Sequence, residues 1–180
     1  TGEAGTARQN CHPFRHGAWM FMHNGAIADF PILRRELDLA IPEGLYRHKM
    51  GTTDSETIFY LLLANGLADD PSAAYATTVK LVEETMVKHG VTGPFRFAAI
   101  ATDGERLIAT RYSSDNASPS LFYGLGAGGA EQSVTIMSEP SDEDSGHWAE
   151  VPESSIVYAD SGALHIEPFA SRASTHQPTA

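Results

Sequence analysis

Cysteine occurs once in these 180 residues, at Cys11. No disulfide can therefore form within the chain, and the composition suits a reducing, cytoplasmic setting. Basic residues are also scarce. Twelve Lys and Arg stand against 23 Asp and Glu, a formal net charge of -11, which argues against nucleic acid or an anionic membrane surface as a partner. No apolar run is long enough to cross a bilayer. Repeats and interdomain linkers are missing as well. An apolar content of 42% with a mean hydropathy of -0.22 describes one globular domain able to bury a sizeable core.

What the chain does have is a run of large apolar residues, Ala18 to Met22, leading through His23 into Asn24-Gly25. The run predicts a buried strand. Asn-Gly predicts a turn, because both residues tolerate positive φ, with Ala26-Ile27-Ala28 as a brief return strand. A second reading is an oxyanion hole, in which the Asn24 side-chain amide and the Gly25 backbone N–H converge on a developing negative oxygen.

Upstream, Thr1 to Gln9 and Asn10 to Phe14 read as loop, and Arg15-His16-Gly17 as a turn. Downstream, Asp29 is expected to cap a helix over 31–39 with Ile32, Leu33 and Leu37 at helical spacing. Pro42-Glu43-Gly44 ends it, and a polar loop runs from Tyr46 to Gly51. Thr53-Asp54-Ser55-Glu56 has capping-box form and opens a helix to Ala64. Asp70-Pro71 opens another to about His89, with Tyr75, Val79, Val82 and Met86 on one face.

Strands follow: Phe95–Thr102 and Arg106–Tyr112 about Asp103-Gly104, then Ser120–Gly124 and Val134–Ser138. The acidic stretch Ser141–Gly146 reads as a solvated loop. A last hairpin joins Ile156–Ala159 to Leu164–Pro168. The fold class is α+β, with a domain over 1–169 and a disordered tail over 170–180.

Three segments stand in order: Asn10-Cys11-His12-Pro13-Phe14, His23-Asn24-Gly25, and Gly51-Thr52-Thr53-Asp54-Ser55-Glu56. Together they resemble the class II, N-terminal-nucleophile glutamine amidotransferases. Ser138-Glu139-Pro140 and His147-Trp148 to Pro152 are similar to the stand-alone members that cut γ-glutamyl amides. The resemblance implies a four-layer αββα sandwich of two antiparallel sheets. It implies cleavage of a γ-carboxamide by an N-terminal cysteine whose α-amine is the general base, with no metal and no organic cofactor. Asn24 and Gly25 would stabilise the oxyanion, and Asp54 would accept the substrate's α-ammonium. Thr1 would help hold the substrate carboxylate, His12 would fix a loop walling the site, and Thr53 and His23 would complete the substrate-binding set.

The family's cysteine, its strand and a carboxylate-binding arginine lie upstream of the Asn-x-His-Pro segment and have no counterpart here. The expectation is a C-terminal majority of such a domain, inactive alone, whose partner is a small molecule, glutamine or another γ-glutamyl amide, with a homo-oligomer as a further possibility. The alternative is a non-catalytic ligand- or partner-binding domain of the same fold. Cys11 reads as a buried or semi-buried loop thiol rather than a nucleophile, since it and His12 point apart on an extended chain. Thr1 lacks the strand a nucleophile would need. His12, His16 and His23 have no second ligand cluster for a metal.

Overall fold

Burial alternates residue by residue from Trp19 to Asn24, and the chain there forms one long strand. The computed structural model describes residues 7–126, 133–140, 147–160 and 163–168. A short 3₁₀ helix (Arg8–Asn10) and β1 (Phe14–His16) lead into this strand, β2 (Trp19–Ile27). Trp19, Phe21, His23 and Ile27 are buried on one face of β2, whereas Met20, Met22, Asn24 and Ala26 are exposed on the other.

Two expectations fail here. Asn24-Gly25 is not a turn, and Ala26 to Ala28 do not turn back. Asn24 and Gly25 pair with Ala98 and Phe97, and the ladder with β3 runs unbroken from Met20 to Ile27. The continuous ladder and its buried face outweigh the local preference of Asn-Gly. The loop expected upstream also contains β1, paired from Phe14↔Phe21 to His16↔Trp19.

Four helices follow: α1 (Phe30–Leu39), α2 (Glu43–Tyr46), α3 (Asp54–Ala64) and α4 (Pro71–Lys88). α1 forms as expected, but Asp29 takes a left-handed φ of 50° and its side chain caps nothing; burial of Phe30, Leu33 and Leu37 holds the helix instead. The single turn of α2 occupies the segment read as a helix stop. The Thr53 hydroxyl accepts from Glu56 N at 3.2 Å, and Asp70 accepts from Ala73 N at 3.0 Å, as N-caps do. The reciprocal half of the capping box is not formed. The Glu56 carboxylate accepts instead from Met50 N at 2.8 Å and Gly51 N at 2.6 Å.

The remaining strands are β3 (Phe95–Thr102), β4 (Arg106–Ser113), β5 (Phe122–Leu125), β6 (Val134–Met137), β7 (Trp148–Glu150), β8 (Ser155–Asp160) and β9 (Ala163–Pro168). At three residues, β7 is too short to show alternation, and it was not foreseen. Two antiparallel sheets result, one ordered β1-β2-β3-β4-β8-β9 and the other β6-β5-β7. The helices cover one face of the larger sheet. There Phe21 and Phe59, both fully buried, stack at 5.4 Å. The smaller sheet lies on the opposite face, over a second cluster that includes Ala98, Ala109, Leu121, Val151 and Val157. Arg111 fastens the two sheets through Pro119 O at 3.0 Å and Val151 O at 2.7 Å. The described residues thus supply the helical layer and both sheets of an α+β sandwich. Among them, no helix is long and apolar enough to cross a membrane. The Ser141–Gly146 loop and the tail over 170–180 lie outside the described residues.

Candidate active site

Beyond Phe21, the edge of β2 away from β3 has no strand partner among the described residues. Ala28 N donates to Pro94 O, while Ile27 N turns away from β3 and donates to Asp54 Oδ2 at 2.9 Å. Amides of an antiparallel strand alternate between its two edges. Gly25 N–H, two residues before Ile27, therefore points to the same edge as the Ile27–Asp54 bond. On that edge the pairing with β1 stops at Phe21. Asn24 projects from the exposed face, opposite the helices. Asp54 reaches the edge from the helix side, so it and Asn24 stand on opposite faces of the segment 24–27.

Asp54 is held firmly. Its Oδ1 accepts from Ser55 N at 2.8 Å and its Oδ2 from Ile27 N. Oδ1 also takes a longer contact from Ser55 Oγ at 3.5 Å; a carboxylate has about four acceptor positions, so the one left open is on Oδ2, and the residue is half-buried. A charge-assisted contact with an ammonium group is the chemistry this leaves available.

His23 lies beneath the edge, on the helix face. Its Nδ1 is 2.9 Å from Ser55 Oγ, and its Nε2 is 3.4 Å from Arg96 O. A carbonyl only accepts, so Nε2 carries the ring proton and Ser55 donates to Nδ1. Burial lowers the His23 pKa to about 4, against the opposing pull of the Asp54 charge. The ring is neutral at pH 7. The pKa of His12 is lowered too, by lost hydration, and Asp54 again opposes this. Asp54, His12 and His23 thus share one electrostatic neighbourhood. His12 is exposed, with its ring edge-on to Phe14 at 4.9 Å.

The loop before Asp54 is braced from three sides. Asn10 accepts from Thr52 N at 2.9 Å and donates to the Thr52 hydroxyl at 3.3 Å. Glu56 takes two loop amides, as described. Lys49, its side chain 3% exposed, lies 3.4 Å from Asp38 Oδ1 and 3.9 Å from Glu56 Oε2. Lys49 was read as part of a polar loop; its burial has no sequence signal, because it depends on a carboxylate from α1.

Of the residues singled out from sequence, Asn24, Gly25, Asp54, His12 and His23 come together around one strand segment. Thr53 is engaged as the α3 cap, and Thr1 lies outside the described residues. Cys11 is exposed, contrary to the buried or semi-buried thiol expected, and its Sγ donates to Ala7 O at 3.6 Å; the 3₁₀ helix projects it outward. Ser55, Asn10 and the Arg96 carbonyl were missed as site residues. Ser55 lay within a quoted motif, but its link to His23 requires the helix to cross β2. Among the described residues, no group of three His, Cys, Asp or Glu could hold a metal. A groove of about 620 Å³ near α1 and α2, lined by Arg34, Arg35, Asp38 and Tyr46 among others, includes none of the candidate residues.

Comparisons with known proteins agree with this fold. The family model for class II glutamine amidotransferases matches residues 2–120. A curated protein of Saccharomyces cerevisiae, the probable glutamine amidotransferase DUG3, is 26% identical over 195 residues, spanning 89% of this chain and 55% of its own length. The chain thus spans about half the length of the curated relative it matches. A solved glutamine aminotransferase class-II domain protein from Silicibacter pomeroyi is 36% identical, with a TM-score of 0.83, over 92% of this chain and 74% of that one. The glutamine phosphoribosylpyrophosphate amidotransferase of B. subtilis, 18% identical, has a TM-score of 0.64 over 93% of this chain and 33% of that one. At that identity the likeness concerns the fold alone.

Proposed function

Because the chain belongs to the class II glutamine amidotransferase family, we propose that its site cleaves the γ-carboxamide of L-glutamine or of a related γ-glutamyl amide. Asn24 and Gly25 donate to the oxyanion of the tetrahedral intermediate, and Asp54 accepts the substrate's α-ammonium. The observation that supports this reading is the shared edge: the Asp54 carboxylate bonds Ile27 N, two residues along β2 from Gly25.

The chemistry is acyl transfer. A thiolate attacks the amide carbon, the carbonyl oxygen takes up charge, and ammonia or an amine leaves after gaining a proton. Water then hydrolyses the thioester to the γ-carboxylate and restores the thiol. Donors placed for the charged oxygen rather than for the ground-state carbonyl lower the barrier of both steps. Cys11 is poorly suited to the attack, being exposed and turned to Ala7 O. The attacking sulfur in this reading comes from residues beyond these 180, and the 180 alone bind substrate without hydrolysing it.

The test uses the complete gene product and follows glutamate and ammonia released from L-glutamine. Asn24→Ala should lower kcat by about 10²–10³-fold, and Asp54→Asn should chiefly raise KM. Unchanged kcat in the first variant would remove the oxyanion role, and unchanged KM in the second would leave Asp54 as a structural tie between α3 and β2.

A further inference from the structure

Gly25 has φ +141°, and a Cβ built on it would meet the Arg96 carbonyl oxygen at 2.0 Å and His23 Nε2 at 2.8 Å. The Gly25 α-carbon is thus pressed against a carbonyl and an imidazole. That imidazole is buried, with Phe97 at 5.1 Å and Phe21 at 6.4 Å between ring centres. Packing confines the ring, and its rotation is then set by its two polar partners. The Arg96 carbonyl belongs to the same sheet and moves with it. The other partner, Ser55 Oγ, belongs to α3 and is itself buried.

We propose that Ser55 and His23 are positioning residues, a pin and a wedge that hold the Gly25 amide in its catalytic orientation. This rests on the oxyanion role proposed above for Gly25. His23 thereby leaves the substrate-binding set. It lies on the buried face of β2, and both its nitrogens are engaged by protein.

The arrangement has a chemical logic. A neutral ring with its proton on Nε2 donates to Arg96 O, leaving Nδ1 as an acceptor that needs a donor. Ser55 supplies it from the second residue of α3, next to Asp54. One short segment therefore fixes both the ammonium acceptor and, through His23, the oxyanion donor. Without the Ser55 hydroxyl, Nδ1 is a buried acceptor with no protein donor. The ring is then free to rotate or change tautomer, and its contact with Gly25 changes with it. A misplacement of about 1 Å in a reacting geometry costs on the order of 10²-fold in rate.

The experiment is steady-state hydrolysis of L-glutamine by the complete gene product, with four variants assayed well below their melting temperatures. Ser55→Ala should lower kcat by roughly tenfold to 10²-fold with KM within twofold. Ser55→Thr, which keeps the hydroxyl, should restore most of the loss. His23→Phe should lower kcat as well, and adding Ser55→Ala to it should lower kcat no further, since the other contact of the hydroxyl, Asp54 Oδ1 at 3.5 Å, bears on substrate capture and not on the Gly25 amide. In ¹⁵N spectra of the wild type, the His23 ring should carry its proton on Nε2, and Ser55→Ala should perturb those resonances. If folded Ser55→Ala keeps its kcat, or if its loss simply adds to that of His23→Phe, the proposal is overturned. Asn24→Ala is the control. Loss of rate there with none in Ser55→Ala overturns the positioning role alone, whereas no loss in Asn24→Ala takes the oxyanion reading down with it.

Discussion

Gly25 is where a single added methyl group should do most harm. The neighbour at 2.0 Å is backbone, the Arg96 carbonyl oxygen, and cannot swing aside. Gly25→Ala should therefore force β2 and β3 apart locally and cost about 3 kcal/mol or more in urea unfolding, besides abolishing hydrolysis. His23 supplies a second prediction at this scale. Its folded pKa, about 4, lies below the ordinary 6.5, so the unfolded chain binds the proton first as pH falls. The stability that the neutral ring contributes is complete above pH 6.5 and is lost between there and about 4. Its size is about 3 kcal/mol at most. Proton NMR should find the His23 ring neutral at pH 5.5, and a ring titrating near 6.5 would contradict this. At the residue level the sequence marks candidates but not the direction in which they point. Asn24, Gly25 and Asp54 were singled out by motif, but that His23 faces the core while Asn24 faces outward follows only once β2 is known to run on to Ile27.

Helix α3 organises the site at the next scale. Its stack of Phe59 on Phe21 sets it across β2, its first residue secures Ile27 N, and its second reaches His23. The loop entering it depends on Lys49 lying between Asp38 and Glu56. Lys49→Ala would leave the buried Glu56 carboxylate without its cation, while Asp38 keeps Arg34 at 3.3 Å, and a loss of about 3 kcal/mol is expected in chemical denaturation. A loss below 1 kcal/mol would mean that water replaces the ammonium without penalty. Both α3 and α4 were legible, because Thr53 and Asp70 are real caps and the apolar spacing is long and regular. The course of β2 is not legible because Asn-Gly is a local signal, whereas pairing with Phe97 and Ala98 comes from more than seventy residues away. β1 and β7, at three residues each, carry too few positions for any period to show.

On the scale of the molecule, two apolar layers stabilise the sandwich: helices against the large sheet, and the small sheet against its other face. The class was legible from helices grouped between antiparallel strands. The partition of strands into two sheets was not, since it depends on which face each alternation presents. The smaller sheet covers β3, β4 and β8, while Met20 and Met22 on β2 remain 40% and 46% exposed. The site thus sits where the large sheet emerges from cover among the described residues, with a strand edge and an open face side by side. The most direct measurement is an L-glutamine titration of the ¹⁵N-labelled 180-residue chain followed by NMR. The account predicts saturable shifts at the Gly25 amide, the Asn24 side-chain amide and the Ile27 amide bonded to Asp54, all weakened in Asp54→Asn. Saturable binding that leaves those three signals unmoved would contradict it.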